Sequence, residues 1–132
     1  MSLHRNEILG GWELVSFQAR DTGTGDIRYP LGDRPRGLIL YTVDGFMSAQ
    51  LAPGGAGADI GEYIAYSGPF HVDEQASTVR HDVRMATMPD LVAQPQLRHV
   101  SLEPGRLTLS ATITDDTGVT THSTLTWQRP AS

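Results

Sequence analysis

Residues 78–85, Thr-Val-Arg-His-Asp-Val-Arg-Met, set an imidazole in the middle of an alternating run. In an extended chain successive side chains point to opposite faces. Val79, His81, Val83 and Met85 therefore share one face, and Arg80, Asp82 and Arg84 the other. His81 on the apolar face has two readings. One is a core histidine satisfied by a carbonyl or a tyrosine hydroxyl. The other is a pocket acid or base, since imidazole titrates near neutrality. Asp82 cannot orient His81 across a regular strand, because it points the other way. Leu97–Leu102 repeats the pattern, with Arg98, Val100 and Leu102 in phase. A lone guanidinium on an apolar face is costly to bury. Arg98 either snorkels to solvent at a rim or anchors a carboxylate, phenolate or enolate, which its planar fork suits. Tyr66 falls in phase with Ile64 and offers a hydroxyl to a carbonyl oxygen. His81, Arg98 and Tyr66 are the candidate catalytic groups.

Other chemistries drop out by residue type. There is no cysteine, which excludes disulfides, thiolate catalysis and cysteine-ligated zinc. All ten basic residues are arginine, so Schiff-base chemistry and a phosphate-binding P-loop are excluded as well. The five histidines, at 4, 71, 81, 99 and 122, show no metal-ligand spacing. No GxSxG elbow is present. Gly23-Thr24-Gly25 is not followed by a helix, and Asp115-Asp116 reads as a solvated turn. Neither a metal nor a cofactor is expected. A net charge of −5 argues against nucleic acid. No apolar run is long enough to span a membrane, and the N-terminus shows no secretory h-region, so a cytoplasmic location is expected.

The elements that must position these side chains are strands. Period-two runs cover Trp12–Gln18, Arg36–Val43, Phe46–Leu51, Tyr63–Val72, Thr78–Met85, Leu97–Leu102, Leu107–Thr114 and Val119–Gln128. Asp44-Gly45, Pro104-Gly105 and Asp116-Thr117-Gly118 mark reversals, Ala52–Asp59 a glycine-rich loop, and Gly68-Pro69 a bulge or bend. Helix is confined to a turn or two within Leu3–Leu9 and a short plug at Asp90–Val92. Eight strands at this spacing, joined mostly by hairpin turns, predict an all-β, up-and-down antiparallel barrel of a single domain, residues 1–132. A closed eight-stranded barrel has room for side chains or one small ligand. Candidate ligand contacts are Tyr41, Met47, Gln50, Tyr63, Met85 and Trp127, the last in phase with Leu125 and Ser123. Which face of Phe46–Leu51 and of Tyr63–Val72 turns inward is left open.

Tyr29–Leu51, "YPLGDRPRGLILYTVDGFMSAQL", with "YIAYSGPFHVD", "QLRHVSLEPGRLTLS" and "LTWQR", resembles the lipocalin-like domain family of small bacterial and fungal calycin-type barrels. The likeness runs from Leu9 to Arg129. It implies an eight-stranded barrel with an interior pocket, and a closing contact of Arg129 on Trp12 in the Gly10-Gly11-Trp12 motif. It implies no defined activity, though some relatives resemble proteins encoded beside natural-product pathways, where small barrels can serve as cyclases or isomerases. The chain departs from the pattern in its Gly-rich loop, and at Leu91, where an aromatic residue is expected. Three functions are consistent with these residues. The first is a barrel binding a small, largely apolar organic molecule. The second is a cofactor-independent cyclase or isomerase of a polyketide-like intermediate. The third is a ligand-free structural or partner-binding barrel, with a homodimer left open.

Overall fold

Short turns carry the chain back on itself at most strand ends. Gly45 (φ 99°), Gly105 (φ 73°) and Gly118 (φ 88°) take the left-handed conformation that a side chain resists, at the three predicted reversals. Asp115 Oδ1 tightens the last turn by accepting from the backbone N–H of Thr117 and Val119. The computed structural model describes residues 3–55 and 60–130, so the predicted loop at Ala52–Asp59 lies partly outside the described residues. Its strands are β1 (Gly10–Asp21), β2 (Ile27–Arg28), β3 (Arg36–Tyr41), β4 (Phe46–Ala52), β5 (Ile64–Asp73), β6 (Thr78–His81), β7 (Met85–Ala86), β8 (Gln96–Glu103), β9 (Arg106–Thr114) and β10 (Thr120–Gln128). A 3₁₀ turn, Arg5–Glu7, precedes β1, and a four-residue helix α1, Asp90–Ala93, precedes β8.

Every pairing is antiparallel. The neighbours run β1-β3-β4-β5-β6-β8-β9-β10, and β10 pairs back onto β1, so the sheet closes into an eight-stranded up-and-down barrel. The two-residue strands β2 and β7 add to β1 and β5. Closure leaves the barrel one inner wall, filled from β3, β4 and β6 by Ile39, Tyr41, Met47, Ala49, Val79 and His81, each no more than 2% exposed.

Two irregularities decide which residues share that wall. In β1, Leu14 pairs with Trp127 but Ser16 with Thr126, so Val15 is an extra residue. The bulge rephases the strand, and Trp12 and Leu14 are followed on the inner face by Phe17 and Ala19. The second lies where the predicted strand Thr78–Met85 breaks into β6 and β7. His81 pairs with Phe70, and Met85 with Ser67. Three steps on β5 thus oppose four on its partner, and one extra residue flips everything after it. Gly68 makes the room, since a Cβ there would lie 2.1 Å from the Asp82 carbonyl oxygen. Pro69 has no N–H, and its carbonyl accepts from Asp82 N at 2.9 Å. Val83 keeps the inner phase and is buried, whereas Met85 ends 73% exposed on the outside.

One end of the barrel is sealed by Trp12. Its ring is 2% exposed, Ile8 beneath it is fully buried, and Nε1 donates to the Ile8 carbonyl at 2.9 Å. The Arg129 guanidinium lies 3.7 Å from the ring centroid and donates to the carbonyls of Gly11 and Glu7. Gly10 is required there twice over: its φ is +98°, and a Cβ would sit 3.1 Å from Arg129. A tryptophan buries roughly 150–250 Å². At roughly 25 cal/mol per Å² that stabilises by about 4–6 kcal/mol, against about 2 kcal/mol for a desolvated cation–π contact. Burial of Trp12 therefore dominates, and Arg129 holds the ring in place. Arg129→Ala should lower unfolding stability in urea by about 1–2 kcal/mol, with Arg129→Lys intermediate. Indistinguishable melts would show the contact to be incidental.

Candidate functional site

The register brings three polar rings together inside the apolar wall. Tyr41 pairs with Met47, Met47 with Gly68, Ala49 with Tyr66, and Phe70 with His81. The Tyr41 hydroxyl lies 2.7 Å from His81 Nε2, and the Tyr66 hydroxyl 3.4 Å from Nδ1. Phe70 packs edge-on against Tyr41, with centroids 4.9 Å apart. Burial, reinforced by the positive charge of Arg98, pushes the His81 pKa down to about 3. Burial also raises the pKa of both Tyr41 and Tyr66. At neutral pH the trio is uncharged.

Arg98 projects from β8 to the same interior, half-buried and in phase with Val100 and Leu102. Its guanidinium donates to the Leu97 carbonyl (2.9 Å) and the Gln96 side-chain oxygen (3.2 Å). Both acceptors are neutral. Gln96 in turn donates to the carbonyls of Leu91 and Gln94, which ties Arg98 to the end of α1. The alternation Gln96-Leu97-Arg98 carries the signal for Gln96, but a strand begun at Leu97 leaves it out. Asp82 faces outward and pairs with Arg80 and His71. The hydrogen bond from Arg80 holds its carboxyl below the usual range. Among the described residues no carboxylate pairs with Arg98. No cluster of three metal-ligating side chains occurs among the same residues.

The other sequence candidates divide. Tyr41, Met47 and Trp127 are on the inner wall, each no more than 2% exposed. The Trp127 Nε1 has no hydrogen-bond partner. Gln50 is on the outer face of β4, where it donates to Ser48 at 2.7 Å, because Met47, Ala49 and Leu51 take the inner one. Tyr63 precedes β5 and sits at the rim, its hydroxyl accepting from Arg36 at 3.1 Å. Met85 lies outside for the reason given by the bulge. Gln50 and Met85 instead line an outer groove of about 600 Å³ with Ser67 and Val92.

The wall opposite the rings is packed differently. Val100, Leu109, Leu125 and Phe17 form one cross-strand row. Leu109 is buried, but Val100, Leu125 and Phe17 keep partial solvent contact. The next row carries the small residues Ala111, Ser123 and Ala19. A separate cleft of about 610 Å³ lies at the Trp12 end, where it reaches Val100 and Leu102 and is bordered by Leu3, Glu7, Ser77, Glu103 and Arg129. Phe17 and Ala111 are inner-wall residues that the sequence pattern did not single out, whereas Leu125 entered it only as in phase with Trp127.

The sequence profile described as a lipocalin-like domain matches residues 9–61 and 55–130. No curated protein matches the chain.

The ring cluster has a pH signature. Unfolded imidazole protonates below about pH 6.5. Folded His81 stays neutral down to about 3, so the unfolded state binds the extra proton between those values. Stability should therefore fall as pH falls through that window, by up to about 1.4 kcal/mol per pH unit. Asp82 and Asp115, whose pKa values are lowered, act at more acid pH. Urea melts between about pH 6 and 5 isolate the histidine window. His81→Asn should remove the part of the slope that the parent shows there. A slope equal to the parent's would rule out buried His81 as its source.

Proposed function

The chain belongs to the lipocalin-like domain family, and we propose that its barrel holds a small, largely apolar organic molecule along the inner face of β8, β10 and the second half of β1. The observation that carries this reading is the asymmetry of the interior. Inward residues of β3, β4 and β6 are almost fully buried, whereas Phe17, Val100 and Leu125 point inward and still meet solvent. Apolar side chains so placed gain by covering one another or a guest, at roughly 25 cal/mol per Å². The next row, Ala19, Ala111 and Ser123, carries only small side chains beside them. An apolar wall with a few placed polar groups is the usual make-up of a ligand site.

A cofactor-independent cyclase or isomerase of a polyketide-like intermediate is the second reading, favoured by the approach of Tyr66 and Arg98 to one interior. In it those two groups stabilise an enolate by hydrogen bonding, and the barrel enforces the reactive conformation. His81 contributes by positioning Tyr66, because a base with a pKa of about 3 is poorly matched to neutral pH.

The environment-sensitive dye Nile red tests the first reading. It should bind the barrel one to one with a blue shift. Leu125→Trp, which fills the open wall, should weaken it at least tenfold while the β-rich circular dichroism is retained. No dye uptake by the parent, or equal uptake by the filled variant, would remove the interior as the site.

A further inference from the structure

We propose that the guest carries a carboxylate or an equivalent anionic oxygen, which seats between the Arg98 guanidinium and the Tyr66 hydroxyl. The proposal rests on the interior being the binding site, and it adds the charge of the ligand.

The interior has more hydrogen-bond donors than acceptors. Neutral histidine has one N–H and one bare nitrogen, and each tyrosine hydroxyl has one proton. Tyr41, His81 and Tyr66 thus bring three protons to two hydrogen bonds. Either tautomer leaves one hydroxyl proton unused. If Nε2 carries the proton, the unused hydroxyl is that of Tyr41, which is 2% exposed and packed against Phe70. If Nδ1 carries it, Tyr41 donates to Nε2, Nδ1 donates to Tyr66, and the Tyr66 hydroxyl is the one left over. Tyr66 is half-buried, and the outer groove beside Gln50 and Met85 also reaches it. The second arrangement strands no proton in the core, so it is the favoured one. Trp127 Nε1, on a residue 1% exposed, is a further inward donor without an acceptor.

Arg98 adds charge to this surplus. It has five N–H donors, and its contacts are with two neutral oxygens. The groups that face it from the other strands are Tyr41 on β3, Tyr66 on β5 and His81 on β6, all neutral. The inner faces of β9, β10 and β1 next to it carry Ala111, Ser123, Leu125, Phe17 and Ala19. Among the described residues Arg98 is the one positive charge on the inner wall, and the inward-phased carboxylate, Asp21 at the end of β1, is one row further on and accepts from the backbone N–H groups of Gly23 and Thr24 rather than pairing with Arg98. A partly desolvated guanidinium is best satisfied by a bidentate anionic oxygen pair. An alcohol or ketone would leave the charge uncompensated. The apolar row of Val100, Leu109, Leu125 and Phe17 lies beside Arg98, so the fitting molecule has an apolar body and an acidic head.

A matched series separates charge from hydrophobicity. Decanoate, decanol and decylamine are titrated against bound Nile red at neutral pH. Decanoate should displace it at least tenfold more tightly than decanol, with decylamine weakest. Arg98→Gln should bring decanoate to the level of decanol while leaving decanol unchanged. Arg98→Lys, which keeps the charge and loses the fork, should retain part of the preference. Tyr66→Phe should cost decanoate about threefold to tenfold and spare decanol. Equal displacement by decanoate and decanol in the parent overturns the anionic ligand and leaves the apolar site standing. Retention of the full preference by Arg98→Gln, in a variant with parental circular dichroism, overturns Arg98 as the anchor. Displacement by none of the three overturns the interior site itself.

Discussion

The pairing of β10 with β1 is the constraint on which the interior depends. The other pairings join β1, β3, β4, β5, β6, β8, β9 and β10 in sequence, and alone they would leave a curved sheet with two open edges. Closing that sheet removes the edges and makes an inside. The seam runs from Glu13–Gln128 to Asp21–Thr121. Arg129, one residue past the end of β10, crosses it to cover Trp12 near the start of β1. The first and last strands are thus held together by a ladder and by a ring under a cation. The ladder is generic. The ring and cation add a specific contact at one end, where the absence of a side chain on Gly10 leaves room for Arg129.

Closure makes an interior, and bulges decide what it contains. Without Val15 as an extra residue, Phe17 would follow Trp12 and Leu14 out of phase and point to solvent. Without the extra residue between His81 and Met85, Met85 would enter the wall near Tyr66. Each bulge moves one side of the barrel by one face, and together they separate a densely packed half around His81 from a looser half around Leu125. Gly68 is the hinge of this division, since backbone from β6–β7 crosses where its side chain would stand.

Strand positions and turns were legible because alternation and glycine chemistry are local signals. Trp12–Gln18, Phe46–Leu51 and Leu107–Thr114 alternate clearly, and Asp44-Gly45 has few other uses. The inward faces of β6 and β8 followed from the same alternation, which placed His81 and Arg98. Met85 did not follow, because its phase is set by Gly68 and Pro69 on the partner strand, and pairing is a non-local fact. Gln50 was ambiguous for a different reason. Met47-Ala49-Leu51 suits a core and Ser48-Gln50 suits a polar pocket, so the residues alone do not choose. Tyr63 precedes Ile64 and so falls on the opposite face, where the Arg36 guanidinium takes it up. The row of small residues in phase with Arg98 was hidden because it is drawn from three strands, and Ala19, Ala111 and Ser123 become neighbours only after closure.

The chemistry of the trio also bears on the choice between the two proposed readings, binding and turnover. An anion beside Arg98 would offset the positive charge that helps hold the His81 pKa down, and that pKa would rise on binding. By linkage, protonating His81 would then strengthen the anion's hold. The size of the effect is limited by the order of its causes. Burial lowers the His81 pKa more than Arg98 does, and an apolar guest deepens that burial. The imidazole therefore stays neutral at physiological pH with the site full or empty. A proton shuttle needs a group whose pKa lies near the working pH. A fixed receptor needs one that does not titrate. His81 fits the second requirement, as a neutral spacer between Tyr41 and Tyr66.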